Sequence, residues 1–220
     1  MAEKVTFMAD ALRLEGLLTA GSKERGVVVA HPHPLYGGDM HNPVVETVGE
    51  AFAQCGYTVL RFNFRGVAPS QGAYDDGNGE RRDITAAMAF LFEAGVGRVD
   101  VAGYSFGAWV AARQQGCRGE NCDAVVHDAV AGEVGDLLLI SPPVGLLDFS
   151  SLKGLPRLKL VVTGERDEQI APGRRLGRMV PVWNASAQFT QIAGADHFYG
   201  GRLERLKETI VSYMAPHRAR

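Results

Sequence analysis

The sequence predicts an α/β protein built on a mostly parallel central sheet with helices on both faces. Three observations carry this. Short β-branched apolar runs alternate with segments whose apolar residues recur at helical spacing. Gly and Pro punctuate the joins. Residues able to do chemistry fall just after the apolar runs, and open parallel sheets bind ligands beyond the C-terminal ends of their strands.

The first two segments, Val5 to Met8 and Leu12 to Thr19, alternate in polarity and predict an antiparallel edge hairpin. Val27-Val28-Val29-Ala30-His31, bounded by Gly26 and Pro32, reads as a buried strand. Asn42-Pro43 opens a helix with Pro at its first position; Val44, Val45, Val48, Ala51 and Phe52 follow at helical spacing, and Gly56 ends it. Tyr57 to Phe62 is the next strand, and the Gly-rich stretch 63–79 is a loop. Glu80 to Glu93 predicts a helix, Val99 to Gly103 a strand, and Ser105 to Gln115 a helix. Asp136 to Ile140 and Leu158 to Val162 are strands, and a short helix follows Pro172. Ala187 to Ile192 fits a last strand and Arg202 to Met214 a last helix. This alternation implies right-handed crossovers. No long insertion separates the central strands, which predicts no separate lid domain.

The 220 residues suit one domain spanning 1–220. Apolar residues make up 46% and charged residues 22%, which argues against disorder. The net charge is -2 with both signs interleaved, so nothing points to nucleic acid or a membrane surface. The N-terminus lacks the apolar core of a signal peptide, and no apolar run is long enough to span a bilayer. The expectation is a cytoplasmic protein acting on a small molecule, with a homodimer left open. Cys55, Cys117 and Cys122 read as free thiols, Cys55 packed under a helix. A metal site at Cys117 and Cys122 would need two further ligands close by, and none is there.

Gly103-Tyr104-Ser105-Phe106-Gly107 matches G-x-S-x-G. The pattern alone could be a glycine-flanked serine capping a helix. Here it follows a strand and opens a helix, the context of a nucleophile on a strained turn. The glycines remove side chains that would clash, and the helix dipole favours negative charge at the hydroxyl. A neutral serine hydroxyl needs a base, and the base an orienting acid; on such a turn both follow the serine, acid first.

For the acid, Val161-Val162-Thr163-Gly164-Glu165-Arg166-Asp167-Glu168 runs from a strand into a turn, and Asp167 is preferred over Glu165 and Glu168. Asp148, after the preceding strand, is the main competitor. For the base, His31, His33, His41, His127, His197 and His217 are available, but only His197 lies between the last strand and the last helix. Asp196 beside it reads as a loop-stabilising residue. Two backbone N–H groups should stabilise an acyl oxyanion. One is that of Phe106. The other comes from His31-Pro32-His33-Pro34-Leu35-Tyr36-Gly37-Gly38, where Pro32 and Pro34 cannot donate. The His33 main chain is preferred, with Leu35 and Tyr36 as alternatives. His31, His33 and His41 invite a metal reading, but no carboxylate or cysteine at tight spacing completes a ligand set.

Together with Arg61-Phe62-Asn63-Phe64-Arg65-Gly66-Val67, Asp196-His197-Phe198 and Gly200-Gly201-Arg202-Leu203, these segments resemble the α/β-hydrolase superfamily. More narrowly, they resemble its small, lidless bacterial hydrolases. Many superfamily members carry His-Gly in the oxyanion loop, where this chain has His31-Pro32. The resemblance implies an esterase-like serine hydrolase that needs no cofactor, and the lack of a lid predicts an open cleft and small acyl esters as substrates. Thioesterase or peptidase chemistry on the same residues, and a non-catalytic binding protein of the same fold, are the alternatives. Arg65 reads as half of a structural salt bridge with Asp75, Asp76 or Glu80.

Overall fold

The computed structural model describes residues 2–116, 132–152 and 154–215. Cys117, Cys122, His127 and His217 lie outside the described residues. The strands are β1 (Ala2–Ala9), β2 (Leu12–Thr19), β3 (Ser22–Ala30), β4 (Tyr57–Phe62), β5 (Arg98–Tyr104), β6 (Glu133–Ile140), β7 (Leu158–Gly164) and β8 (Gln188–Ile192). The α-helices are α1 (Pro43–Gln54), α2 (Asn78–Glu93), α3 (Phe106–Gly116), α4 (Gly173–Trp183) and α5 (Leu203–Met214).

The eight strands form one sheet in the order β1-β2-β4-β3-β5-β6-β7-β8. β1 and β2 make the antiparallel hairpin, and β2 joins β4 antiparallel. From β4 to β8 every pairing is parallel. The chain steps from β3 outward to β4 and then back across β3 to β5. The direction of winding therefore reverses between β3 and β5, which is where such sheets open a crevice. Ala30 and Gly103 are register partners there, so the loops after β3 and β5 leave the sheet side by side.

Strand alternation divides the core. Val28, Val99, Val101, Leu137, Leu139 and Val161 face α2, α3 and α4, while Val27, Val29, Ala102, Leu138, Ile140 and Val162 face α1 and α5. Both faces are covered, which is why the central strands read as continuous apolar runs. β3 starts at Ser22, ahead of the apolar run, because Ser22 pairs with Tyr57 of β4 and Arg25 with Arg98 of β5 across an irregularity in the register. Asn42 caps α1 by accepting the Val44 N–H at 3.0 Å. Cys55 sits half-buried at the C-cap of α1 against the core under that helix. Helix α2 begins at Asn78, two residues ahead of the predicted start, because the Glu80 side chain reaches back over its first turn.

Arg65 is buried, and its partner is neither Asp75, Asp76 nor Glu80. Its guanidinium donates to Asp83 Oδ1 at 2.7 Å and its main-chain N–H to Asp83 Oδ2 at 3.0 Å, with Asp10 Oδ2 a further 3.6 Å contact. The Glu80 carboxylate is occupied by the main-chain N–H groups of Asp75 and Gly77. Asp83 lies one helical turn on and also faces inward, at 0% exposure, so it takes the guanidinium.

Removing one member of a buried ion pair leaves the other charge without compensation. Asp83→Ala is expected to lower the unfolding free energy by about 3–5 kcal/mol, measured by urea denaturation. A loss below about 1 kcal/mol would show that Arg65 finds water or Asp10 instead.

Candidate active site

The turn between β5 and α3 places Ser105 at φ 53, a left-handed conformation that costs a non-glycine residue roughly 1–2 kcal/mol. Its surroundings impose it. A Cβ on Gly103 would lie 2.4 Å from the Gly107 carbonyl oxygen, and one on Gly107 would lie 2.5 Å from that of Ala30. The first turn of α3 thus presses on both β5 and β3 at distances only glycine allows. The Ser105 carbonyl accepts the N–H of Ala108 at 2.9 Å, while its own N–H is held by Ile140 O at 2.9 Å. A serine that merely capped α3 would turn its hydroxyl toward the helix N–H groups. Ser105 Oγ instead lies 3.0 Å from His197 Nε2.

His197 stands on the loop after β8. Its Nδ1 is 2.5 Å from Asp167 Oδ2, so Nδ1–H donates to the carboxylate and Nε2 is left to accept the Ser105 hydroxyl proton. The other carboxylate oxygen, Asp167 Oδ1, accepts the Ala171 N–H at 2.9 Å. All three side chains are nearly enclosed, with Ser105 9%, His197 7% and Asp167 3% exposed. The acid and base loops dock through Arg166 N–H to Ala195 O at 2.8 Å and Glu165 N–H to Ile192 O at 3.0 Å.

The competing carboxylates are engaged elsewhere. Glu165 accepts the Gly194 N–H, Asp148 holds Ser150, and Glu168 is exposed. Asp196 accepts the N–H groups of Phe198 and Gly200, which shapes the loop carrying His197.

Two tyrosines support the site from behind. Tyr104 Oη donates to the His197 carbonyl at 2.9 Å, and Tyr199 Oη lies 2.9 Å from Ser141 Oγ at the end of β6. Burial drives both phenol pKa values upward, so both stay protonated. Sequence reasoning singles out neither, although Tyr104 lies inside the G-x-S-x-G match.

In the loop after β3, the Leu35 N–H donates to His33 Nδ1 at 3.3 Å and the Tyr36 N–H to His33 O at 3.1 Å, so both alternative donors are occupied. The N–H groups of His33 and Phe106 have no protein acceptor among the described residues. The three histidines of this region have separate surroundings. His41 is exposed beside Glu46, and the His33 ring packs against Tyr74 and Phe106. His31 points inward: its Nε2 accepts the Phe64 N–H at 3.1 Å and its Nδ1–H donates to Pro32 O at 2.6 Å. Burial, partly offset by the Pro32 bond, pushes the His31 pKa down to about 4. No described group of three His, Cys, Asp or Glu side chains is arranged to hold a metal ion. No described helix is long and apolar enough to cross a membrane.

The fold that carries these residues has counterparts among known proteins. No protein-family profile matches the chain. An uncharacterized protein of Rickettsia prowazekii (strain Madrid E) is 32% identical over 96% of this chain and 88% of its own length. The structure of an α/β serine hydrolase homologue from Coxiella burnetii superposes with a TM-score of 0.80 at 32% identity, covering 96% of both chains. A lidless α/β serine hydrolase from Xanthomonas campestris superposes with a TM-score of 0.80 at 27% identity, covering 98% of this chain and 94% of its own. The chain belongs to the α/β-hydrolase superfamily. Among the described residues no separate domain is inserted beyond the strand ends that carry Ser105; the connections 63–77, 141–152 and 154–157 contain no α-helix.

The buried neutral His31 makes stability depend on pH. Its folded pKa, about 4, lies below the ordinary 6.5, so between these values the unfolded chain binds more protons. Stability should be fully present above about pH 6.5 and fall as pH drops toward about 4, by about 3 kcal/mol at 1.36 kcal/mol per unit. Urea midpoints across this range should flatten in His31→Gln relative to wild type. An unchanged slope would assign the dependence to other groups.

Proposed function

We propose that the protein is a serine hydrolase that cleaves small acyl esters through an acyl-enzyme on Ser105. The observation that carries this reading is the continuous chain from Ser105 Oγ through His197 to Asp167, beside two main-chain N–H groups with no protein acceptor. In the first half-reaction Ser105 Oγ attacks the acyl carbonyl while His197 Nε2 takes its proton. Asp167 holds Nδ1–H and stabilises the imidazolium that forms. The oxyanion lies against the N–H groups of Phe106 and His33, where each donor contributes roughly 3–4 kcal/mol. Collapse expels the alcohol, which leaves with the proton from His197. Water then repeats the sequence and releases the acid.

The rim supports an apolar acyl group. Six large apolar side chains are exposed among the described residues. Four of them, Leu35, Tyr36, Leu146 and Phe198, stand on loops after β3, β6 and β8, at the edge that holds Ser105. Exposed apolar surface gathered at one edge marks a binding surface rather than ordinary solvent-facing residues.

Hydrolysis of p-nitrophenyl esters and covalent labelling by a fluorophosphonate test the reading. Ser105→Ala should reduce kcat by about 10⁶ and abolish labelling, and Asp167→Asn should reduce kcat by about 10⁴ through the wrong histidine tautomer. Wild-type protein that neither turns over any ester nor labels at Ser105 would exclude the reading. Turnover confined to thioesters or amides would keep the residues and change the substrate.

Acyl length reads the rim. Each buried CH₂ is worth about 0.8 kcal/mol, so kcat/KM should climb roughly fourfold per methylene from acetate until the rim is filled. A flat profile would separate the apolar rim from the acyl group.

A further inference from the structure

The two main-chain donors assigned above belong to residues from different segments: His33 from the loop after β3, and Phe106 from the first turn of α3. Their side chains meet. The His33 and Phe106 rings have centroids 4.8 Å apart. A third ring closes the triangle. Tyr74, on the loop 63–77, packs on His33 at 5.1 Å and on Phe106 at 5.7 Å. We propose that Tyr74 is a positioning residue: its ring holds the His33 and Phe106 main chains at the separation at which both N–H groups address one oxygen. This rests on the serine-hydrolase reading of the site.

Tyr74 can hold two other segments in place only if its own loop is stiff, and the loop is braced from three directions. Glu80, at 0% exposure, accepts the N–H groups of Asp75 and Gly77 at 2.9 and 2.8 Å, on either side of Asp76. Gly66 has φ 75, and a Cβ there would lie 2.9 Å from Ala73 Cα and 3.1 Å from Tyr74 N. Next to Gly66, Arg65 is bound to Asp83. Burying Arg65, Glu80 and Asp83 is unfavourable unless each is well partnered. No hydrogen bond or ion pair joins these three groups to Ser105, His197 or Asp167. What they brace is a loop that reaches the site through Tyr74 and through the Phe64 N–H on His31.

The ring carries this role more than the hydroxyl. Tyr74 Oη is 3.3 Å from His33 Nε2, long against the roughly 2.7–2.8 Å of a good hydroxyl hydrogen bond. Tyr36 also stacks on His33, at 4.7 Å, but it is 88% exposed and has little behind it. Tyr74 is half-buried and packs against the core.

The test compares Tyr74→Phe, Tyr74→Ala and wild type by kcat and KM on p-nitrophenyl butyrate. It adds the inhibition constant of a trifluoromethyl ketone, which forms a tetrahedral adduct with its oxyanion in the same place. Displaced donors weaken transition-state binding without weakening substrate binding. Tyr74→Ala should therefore lose about ten- to hundredfold in kcat with KM within about threefold, and the inhibitor should weaken by the same factor as kcat. Tyr74→Phe should stay within about threefold of wild type in all three. A thermal melt establishes that each variant is folded; if Tyr74→Ala is not, Tyr74→Leu, which fills the space without a ring, is judged by the same criteria. Three outcomes overturn the proposal alone: wild-type kcat in Tyr74→Ala, equal losses in both variants, or a fall in kcat with an unchanged inhibition constant. A wild-type protein inert to esters and to fluorophosphonate overturns the hydrolase reading, and this proposal with it.

Discussion

The site depends on one close contact: the first turn of α3 lying on the ends of β3 and β5. Glycines at 103 and 107 allow carbonyl oxygens to approach within distances that a Cβ would forbid. That contact forces Ser105 into a left-handed conformation and turns its hydroxyl away from the helix it precedes. The strain is local, and it is held by the main-chain bonds of Ser105 to Ile140 and Ala108 and by the packing of α3 on the sheet. Because β3 and β5 are register neighbours, the same contact brings the loop after β3 beside the serine. The reversal of winding between these strands therefore sets both the crevice and what lines it.

Around this point several polar side chains are buried and matched. His31 satisfies both ring nitrogens with backbone partners, Tyr104 holds the carbonyl of His197, and Tyr199 pairs with Ser141. Each of these side chains left unmatched would cost about 1–3 kcal/mol, so the network favours one arrangement of the loops. Rigid placement of this kind is what a site working by preorganised donors requires.

Much of the fold is legible in the sequence because both faces of the sheet are covered. Burial on both sides makes central strands such as β3 and β6 read as apolar runs at Val27 to Ala30 and Leu137 to Ile140, and covering helices such as α1 carry a clear cap and stop at Asn42 and Gly56. Ser105 and His197 are legible because chain order and strand ends limit the candidates. Asp167 is harder. Glu165, Asp167 and Glu168 share one turn, and only the path of the chain from Gly164 to Ala171 turns one carboxylate toward His197 and the others away. The Arg65 partner is harder still, since two acids of α2 face inward and the loop N–H groups occupy one of them.

By itself the sequence determined the alternation of strands and helices, the glycine-flanked serine at a strand end, and a histidine after the last strand. That histidine is His197, the one that lies between the last strand and the last helix. These are local properties, written in spacing and in backbone permission. Only the tertiary structure decided which acid meets His197, which N–H groups stay without an acceptor, and that Tyr74 joins His33 to Phe106. Those outcomes depend on distances between segments far apart in the chain, and such distances are set by packing that no single segment contains.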